Sequence, residues 1–343
     1  MKSNSSINYN TISIRESQHE SYNTPTFFAE LQESHKRNKK QLYAMAEKKE
    51  QIEKAKRVIS CTNFLTYELI NEEFLRLKRI NLCRERLCLN CQLVNSRNLI
   101  KQLFWTIPRL KVKQEETLQF ITLTAENCKA KEIKKLIQHM TKRQVAFFRH
   151  YGITDYFRSV EVTYNEKADT FHPHLHLLAL VSKKANFPTF EAEKGKQGAN
   201  RLQKEWHEWL SLPSKYDFKQ ATAYEIKNTK AIFEVCKYVS KVKDLEKINV
   251  LEILDTQLKG LRLKTPLGQF KELAKLYKAE CSIIKLQELK ALEDAEIQLI
   301  DLLYNHRKKE YEIKSIRNQS LEYRPSAEFW KERRKAETEG ASK

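Results

Sequence analysis

Residues 157–181 read FRSVEVTYNEKADTFHPHLHLLALV, and the fold follows from how this stretch divides. Two runs rich in β-branched and apolar residues, at about 157–164 and 174–181, flank a polar turn, which is the pattern of a β-hairpin. Upstream, 117–124 (TLQFITLT) is β-branched and aromatic and predicts a buried strand. Between them, Ile133, Leu136, Ile137, Met140, Phe147 and Phe148 recur at helical spacing over 131–150. Downstream come a helix near 199–211, a strand near 216–226 and a helix near 229–243. The order strand–helix–strand–strand–helix–strand predicts an α+β fold, a ferredoxin-like antiparallel sheet with flanking helices.

The second strand of the hairpin carries His172, His174 and His176 within five residues. Side chains alternate along a strand, so His174 and His176 project together, about 7 Å apart. Two imidazoles so placed can chelate one divalent ion, which would polarise a phosphoryl oxygen. His172 shares the face but borders the turn and is the weaker candidate. Glu161, on the partner strand, becomes a third ligand if the hairpin register has the right parity. The alternative is a hydrogen-bonded histidine pair on a polar sheet face.

Residues 233–244 read FEVCKYVSKVKD. On a helix, positions three and four apart share a face, so Glu234, Tyr238 and Lys241 form one polar stripe. A free tyrosine has a pKa near 10, and its phenol is a poor nucleophile until cations lower the cost of ionising it. Lys241, Lys237 and a nearby metal supply that, and Glu234 can act as a general base for a second acceptor. The alternative is an amphipathic helix with a surface tyrosine.

Lys and Arg number 63 against 44 Asp and Glu, a formal charge of +19. That excess suits a polyanionic partner, because each phosphate neutralised releases condensed counterions; charge alone fits a soluble basic protein equally well. Residues 1–20 are polar, with no apolar stretch of the secretory kind, and no apolar run approaches the length that spans a bilayer. A reducing, cytoplasmic setting is expected. There, the cysteines Cys61, Cys83, Cys88 and Cys91 can make a tetrahedral zinc site, the alternative being buried reduced thiols. Gly195 and Gly198 lack the spacing of a phosphate loop.

In combination these segments resemble the replication initiators (Rep) of Gram-positive-type rolling-circle plasmids, within the histidine–hydrophobic–histidine (HUH) endonucleases. The matching motifs are Phe120-Ile121-Thr122-Leu123-Thr124; Phe171-His172-Pro173-His174-Leu175-His176, preceded by Phe157 to Thr163; and Glu234 with Lys237-Tyr238, Lys241 and Asp244. Cys61 to Leu65 and Cys83, Cys88 and Cys91 resemble the family's cysteine segment, and Leu267-Gly268-Gln269-Phe270-Lys271-Glu272 its Gly-Phe-Lys-Glu-like element. The match runs in order from about 60 to 275.

The resemblance implies nicking of one strand at a plasmid origin by Tyr238, leaving a 5′-phosphotyrosine and a 3′-hydroxyl primer, and closure of the strand at termination. It places Glu234 where the family activates water, and Mg²⁺ or Mn²⁺ at the histidines; imidazole suits Mn²⁺ better. Origin DNA, double-stranded or hairpin and then single-stranded, is the implied partner, with a host helicase; no membrane partner is expected. Four regions are expected: 1–57, a flexible leader and charged helix; 58–100, the cysteine-rich segment; 101–275, an HUH-type nicking domain; and 276–343, a helical C-terminal extension. The extension rests on Leu276, Ile283, Leu286, Leu289, Ile297, Ile300 and Leu303 at helical spacing; its apolar face is expected to complete the core, the alternative being a homo-oligomer formed through it. Two departures stand out. The family carries proline after the middle cysteine and basic residues after the last; here Leu89 and Gln92-Leu93-Val94 stand there, against a DNA-contact role for that knuckle. The remaining readings are a single-tyrosine transposase and a non-catalytic plasmid DNA-binding, copy-control protein. A mobilisation relaxase is disfavoured, because Tyr238 follows the histidine strand rather than preceding it.

Overall fold

The computed structural model describes residues 25–46, 52–72, 74–188, 201–211, 221–226, 229–237, 239–291 and 296–318. Its strands are β1 (Phe64–Ile70), β2 (Phe74–Ile80), β3 (Glu116–Thr124), β4 (Tyr156–Asn165), β5 (Thr170–Ser182), β6 (Thr222–Glu225), β7 (Lys264–Leu267), β8 (Ile297–Asn305) and β9 (Glu310–Asn318). Its α-helices are α1 (Pro25–Ala46), α2 (Ile52–Ser60), α3 (Leu89–Thr106), α4 (Ile133–His150), α5 (Arg201–Leu210), α6 (Lys230–Cys236), α7 (Val242–Leu245), α8 (Ile248–Gln257) and α9 (Gln269–Ala291). None of the described helices is long and apolar enough to cross a membrane. The chain divides into two compact units. One comprises Met1–Gln32, Thr62–Asn81 and Ile284–Lys343, the other Glu33–Cys61 and Leu82–Ile283. The cysteine-rich stretch 58–100 is therefore shared between them: the β1–β2 hairpin belongs to the first unit and all four cysteines to the second.

The larger unit holds the expected α+β fold. Its antiparallel sheet has the order β6-β3-β5-β4-β7. Without β7, this is the ferredoxin-like arrangement, in which the two hairpin strands sit beside the first strand and the last strand closes the far edge. The central strand β5 is buried on both faces from Leu175 to Val181. That matches its apolar composition, because a strand covered on both sides has no solvated face to alternate toward. Ile121, Leu123, Val160, Leu175, Leu177 and Ala179 line one face and join a core with Ile133, Ile137, Met140, Phe147 and Phe148 of α4. Trp206 of α5 donates its indole N–H to the Thr124 carbonyl at 2.7 Å, tying α5 to the end of β3. Phe120, Phe157, Leu178 and Leu180 line the opposite face, against Leu103 of α3, Ile232 and Val235 of α6 and Phe270 of α9.

Gly268 links β7 to α9 with φ +54°. A Cβ there would lie 2.8 Å from the Thr154 carbonyl and against the Asp155 carboxylate, which accepts the Gln269 N–H at 2.6 Å and caps the start of α9. Gly268→Ala combines left-handed strain with a backbone collision. It is expected to destabilise the larger unit by on the order of 3 kcal/mol, read as a lower chemical-denaturation midpoint.

The smaller unit corrects the expectation of a helical C-terminal extension over 276–343. The helix ends at Ala291, and residues 297–318 form the β8–β9 hairpin of an antiparallel sheet ordered β2-β1-β8-β9. The three-residue spacing of Ile297, Ile300 and Leu303 imitates a helix face, yet Ile297, Ile300, Asp301, Leu302 and Tyr304 are the buried residues and Leu303 is exposed. What selects strand is pairing with a distant partner: Thr66 opposes Asp301 and Glu68 opposes Leu299. Asp301, buried, accepts from Thr66 Oγ1 (2.8 Å), Ser315 Oγ (2.8 Å) and Arg317 (2.7 Å), which pins three strands together. The turn is signalled locally by Asn305, whose side chain accepts the N–H groups of Arg307 and Lys308. The leader 1–24 and residues 319–343 lie outside the described residues.

Candidate active site and cysteine centre

The hairpin register settles the parity left open by the sequence. Glu161 opposes His174, Ser159 opposes His176 and Thr163 opposes His172, while on the other side Thr122 opposes His176 and Thr124 opposes His174. Directly opposed residues share a face, so Glu161 stands with the histidines. His176 is held at both ring nitrogens: Nε2 lies 2.9 Å from Glu161 Oε2 and Nδ1 3.1 Å from Thr122 Oγ1. An ionised carboxylate only accepts, which assigns the proton to Nε2 and makes Nδ1 the acceptor of the threonine hydroxyl. The His174 ring lies nearly parallel to that of His176, with centroids 5.9 Å apart, and its Nε2 is 3.4 Å from Thr163 Oγ1. Phe120 stacks on the far side of His176 at 5.7 Å. The polar site is thereby continuous with the apolar layer beneath α3 and α6.

The electrostatics suit a cation. Burial, reinforced by His172 and His176, pushes His174 down to about 3, so its imidazole is neutral and able to ligate. Burial pushes Glu161 the other way, but the hydrogen bond from His176, with the neighbouring histidines and the charge of Lys237, outweighs it and holds the carboxyl below its ordinary range. Two imidazoles and a carboxylate on one rigid face are donor types that suit Mn²⁺ better than Mg²⁺, and His176 would reach a cation only by giving up its bond to Glu161 or to Thr122. The trio is joined by a hydrogen bond rather than gathered to a point: among the described residues, only the cysteines bring three or more ligand atoms within 4.8 Å of one another.

The tyrosine segment departs from the expected helix over 229–243. Helix α6 stops at Cys236, Lys237 turns out of it with φ −54° and ψ 166°, and α7 begins only at Val242. Tyr238 itself lies outside the described residues. The cause of the break lies in the sheet. Past Ser159, where the pairing with the first residue of β7 stops, the N–H groups of Val160 and Val162 on β4 need acceptors, and the carbonyls of Leu263 and Val239 provide them, each at 2.8 Å. The helical stripe of Glu234, Tyr238 and Lys241 is thus not formed as one continuous helix. Glu234 instead pairs with Lys237 across the last turn of α6 (2.5 Å). The charge of Lys237 still acts on Glu161 and that of Lys241 on His174, so both cations flanking position 238 address the histidine face. Asp244, buried, accepts the Tyr164 N–H at 3.2 Å and anchors the outer end of β4.

Several residues at this site carried no local signal. Lys264, in the four-residue strand β7, opposes Ser159 on the histidine face. Its ammonium is pushed down by burial and donates to the Cys236 carbonyl at 3.3 Å. Ser96 and Gln92 of α3 also reach this segment, Ser96 Oγ to the Cys236 carbonyl (2.6 Å) and Gln92 Oε1 to the Val239 N–H (3.0 Å). Only the fold brings these residues beside the tyrosine segment.

The four cysteines converge as the sequence expected. Cys61 follows α2, Cys83 follows β2, Cys88 is the N-cap of α3 and Cys91 lies in its first turn. All are free thiols. Their sulfurs lie within 4.8 Å of one another, with Cys61–Cys91 at 3.6 Å and Cys83–Cys91 at 3.5 Å. A tetrahedral zinc with bonds of about 2.3 Å sets its sulfurs about 3.8 Å apart, so the cluster fits zinc closely. Hydrogen bonds among the thiols split their acidities, raising Cys61 and Cys88 and lowering Cys83 and Cys91. By contrast, Cys128 and Cys236 are pushed up to about 12 by burial and, among the described residues, belong to no such cluster. Asn38 supports the centre, with Nδ2 3.8 Å from Cys88 Sγ and Oδ1 accepting the Leu89 N–H. Leu89, Gln92, Leu93 and Val94, the positions that depart from the family pattern, are all buried. This side of the knuckle faces inward and has no surface to offer DNA.

Residues 74–312 match a protein-family model described as replication protein. A protein named Protein rep from Lentilactobacillus hilgardii is 28% identical over 286 residues, covering 76% of this chain and 88% of its own. One of the same name from Streptococcus pneumoniae serotype 2 is 29% identical over 239 residues, covering 64% and 70%. Another from Staphylococcus aureus is 27% identical over 195 residues, covering 54% and 82%. No solved structure matches.

Proposed function

The chain belongs to the replication protein family, and from that premise we propose that it initiates rolling-circle replication of a plasmid by nicking one strand of the origin through Tyr238. The observation that carries this reading is the histidine face, His174, His176 and Glu161 on adjacent strands, with the charges of Lys237 and Lys241, which flank Tyr238 in the sequence, acting on Glu161 and His174. The phenolic oxygen of Tyr238 attacks the scissile phosphorus and its proton passes to solvent or a nearby base. The O3′–P bond breaks, the departing 3′-oxygen takes up a proton, and the 5′-phosphate remains as a phosphotyrosine ester. One phosphodiester is exchanged for another, so a later 3′-hydroxyl can reverse the step and close the strand without ATP.

His174, His176 and Glu161 would hold Mg²⁺ or Mn²⁺, which supplies Lewis-acid polarisation of the non-bridging phosphate oxygens. Lys237 and Lys241 lower the cost of the phenolate and offset charge that builds on the phosphate. Glu234, in the last turn of α6, takes a proton from water when the ester is hydrolysed at termination. Its carboxylate is ion-paired with Lys237, the residue before Tyr238 in the sequence. Incubating the protein with a supercoiled plasmid carrying its own origin tests the reading. Relaxed circles with protein fixed to a 5′ end at one nucleotide support it; binding without cleavage would point to a non-catalytic copy-control protein.

The cysteine quartet is assigned to a structural zinc. The purified protein is expected to carry about one zinc per chain by elemental mass spectrometry, and stripping it with a strong chelator should lower the melting temperature. Metal-free protein of unchanged stability would remove the assignment.

A further inference from the structure

We propose that Gln92 and Ser96 are positioning residues for Tyr238, so that helix α3 ties the cysteine centre to the nicking step. The inference rests on Tyr238 being the nucleophile, and its test separates the two. Cys88, Gln92 and Ser96 are spaced four apart, which places them on one face of α3. Cys88 caps the helix and Cys91 lies in its first turn, so the cysteine centre fixes where the helix starts. One turn on, Gln92 Oε1 accepts the Val239 N–H at 3.0 Å; another turn on, Ser96 Oγ donates to the Cys236 carbonyl at 2.6 Å. These bonds fall on the two sides of position 238.

The opposite edge of the segment is also held. The Val239 carbonyl accepts the Val162 N–H at 2.8 Å, one residue beyond Glu161, and Lys264 adds a second donor to the Cys236 carbonyl. Cys236 is therefore held by α3 and by Lys264 of β7, and Val239 by α3 and the strand that carries Glu161. Gln92 is 6% exposed, and only its oxygen can accept from Val239, so the amide has one orientation available. Because α6 has already ended, the helix ladder does not hold Val239; the bonds from α3 and β4 do. An in-line displacement is sensitive to a misplacement of about 1 Å, at a cost of about 100-fold in rate. The buried glutamine thereby gains a role of its own, as an acceptor turned inward to Val239.

The experiment uses the full chain and an oligonucleotide carrying the mapped origin. Gln92→Met keeps the volume and removes the acceptor; Gln92→Glu restores an oxygen; Ser96→Ala and Ser96→Thr form a second pair. Gln92→Met is expected to lower kcat by about 30- to 100-fold with KM and bound zinc unchanged, and Gln92→Glu to recover most of it. Ser96→Ala should lose about 5- to 10-fold in kcat, and Ser96→Thr little. Unchanged kcat in Gln92→Met, or a loss explained by melting temperature or KM, overturns the inference; if that variant does not fold, the serine pair decides by the same criteria. Nicking by Tyr238→Phe would instead overturn the nucleophile assignment, whatever the α3 variants do.

Discussion

Tyr238→Phe is expected to cut origin nicking by about 10,000-fold or more and to abolish the covalent protein–DNA adduct, while leaving origin binding within about twofold. The substitution removes one oxygen and keeps the ring. The bonds that fix the backbone of this segment run through Cys236 and Val239, which the substitution leaves in place. At 1.36 kcal/mol per decade, the loss corresponds to about 5.4 kcal/mol of transition-state stabilisation, which a phenyl ring has no oxygen to supply. Water could in principle attack in its stead. That route would yield a free 5′-phosphate and no protein-linked end, so denaturing electrophoresis of end-labelled DNA distinguishes the two products. Undiminished adduct in Tyr238→Phe would move the nucleophile elsewhere. Tyr224 would be the first place to look, because it lies on the histidine face against Phe120 and is exposed.

The sheet was legible because two β-branched and apolar runs flanking a short polar turn leave few ways to pair 157–164 with 174–181. Glu161 was legible only as a condition. Its face depends on how many residues the turn consumes, and the pairing of Asn165 with Thr170 decides that. Hidden features trace to bonds made over long sequence distances. No glycine or proline marks the break after Cys236; an acceptor is drawn out of the helix by the Val162 N–H on β4, far earlier in the chain. The hairpin at 297–318 hides for the same reason, since its partner strand lies near the start of the chain and its apolar spacing coincides with that of a helix. Gln92 looked like a missing DNA contact, because a side chain's direction from a helix of unknown packing cannot be read locally. Cysteines behave oppositely: sulfur chemistry restricts what four of them can do, so their convergence was anticipated even though a hairpin of another unit interrupts them.

His174→Ala and His176→Ala should separate catalysis from folding, because the two rings are held so differently. Each is expected to lower metal-dependent nicking by roughly 100- to 1,000-fold, the usual scale for removing a group that fixes charge at a phosphate. Their stabilities should diverge. His174 makes one long hydrogen bond, at 3.4 Å, beside its ring contacts with His172 and His176, and is neutral where it stands; its loss should cost about 1 kcal/mol. His176 is bonded at both nitrogens, and removing it strands the half-buried Glu161 carboxylate and the Thr122 hydroxyl without their shared partner. That should cost about 2–3 kcal/mol, since an acceptor left buried and unpaired pays its full desolvation. Adding Glu161→Gln to His176→Ala should return part of that stability, because the stranded charge is gone, while returning none of the activity. A ligand set and a structural hydrogen bond make opposite forecasts for this double variant. If the pair were only structural, recovering the melting temperature would recover nicking as well.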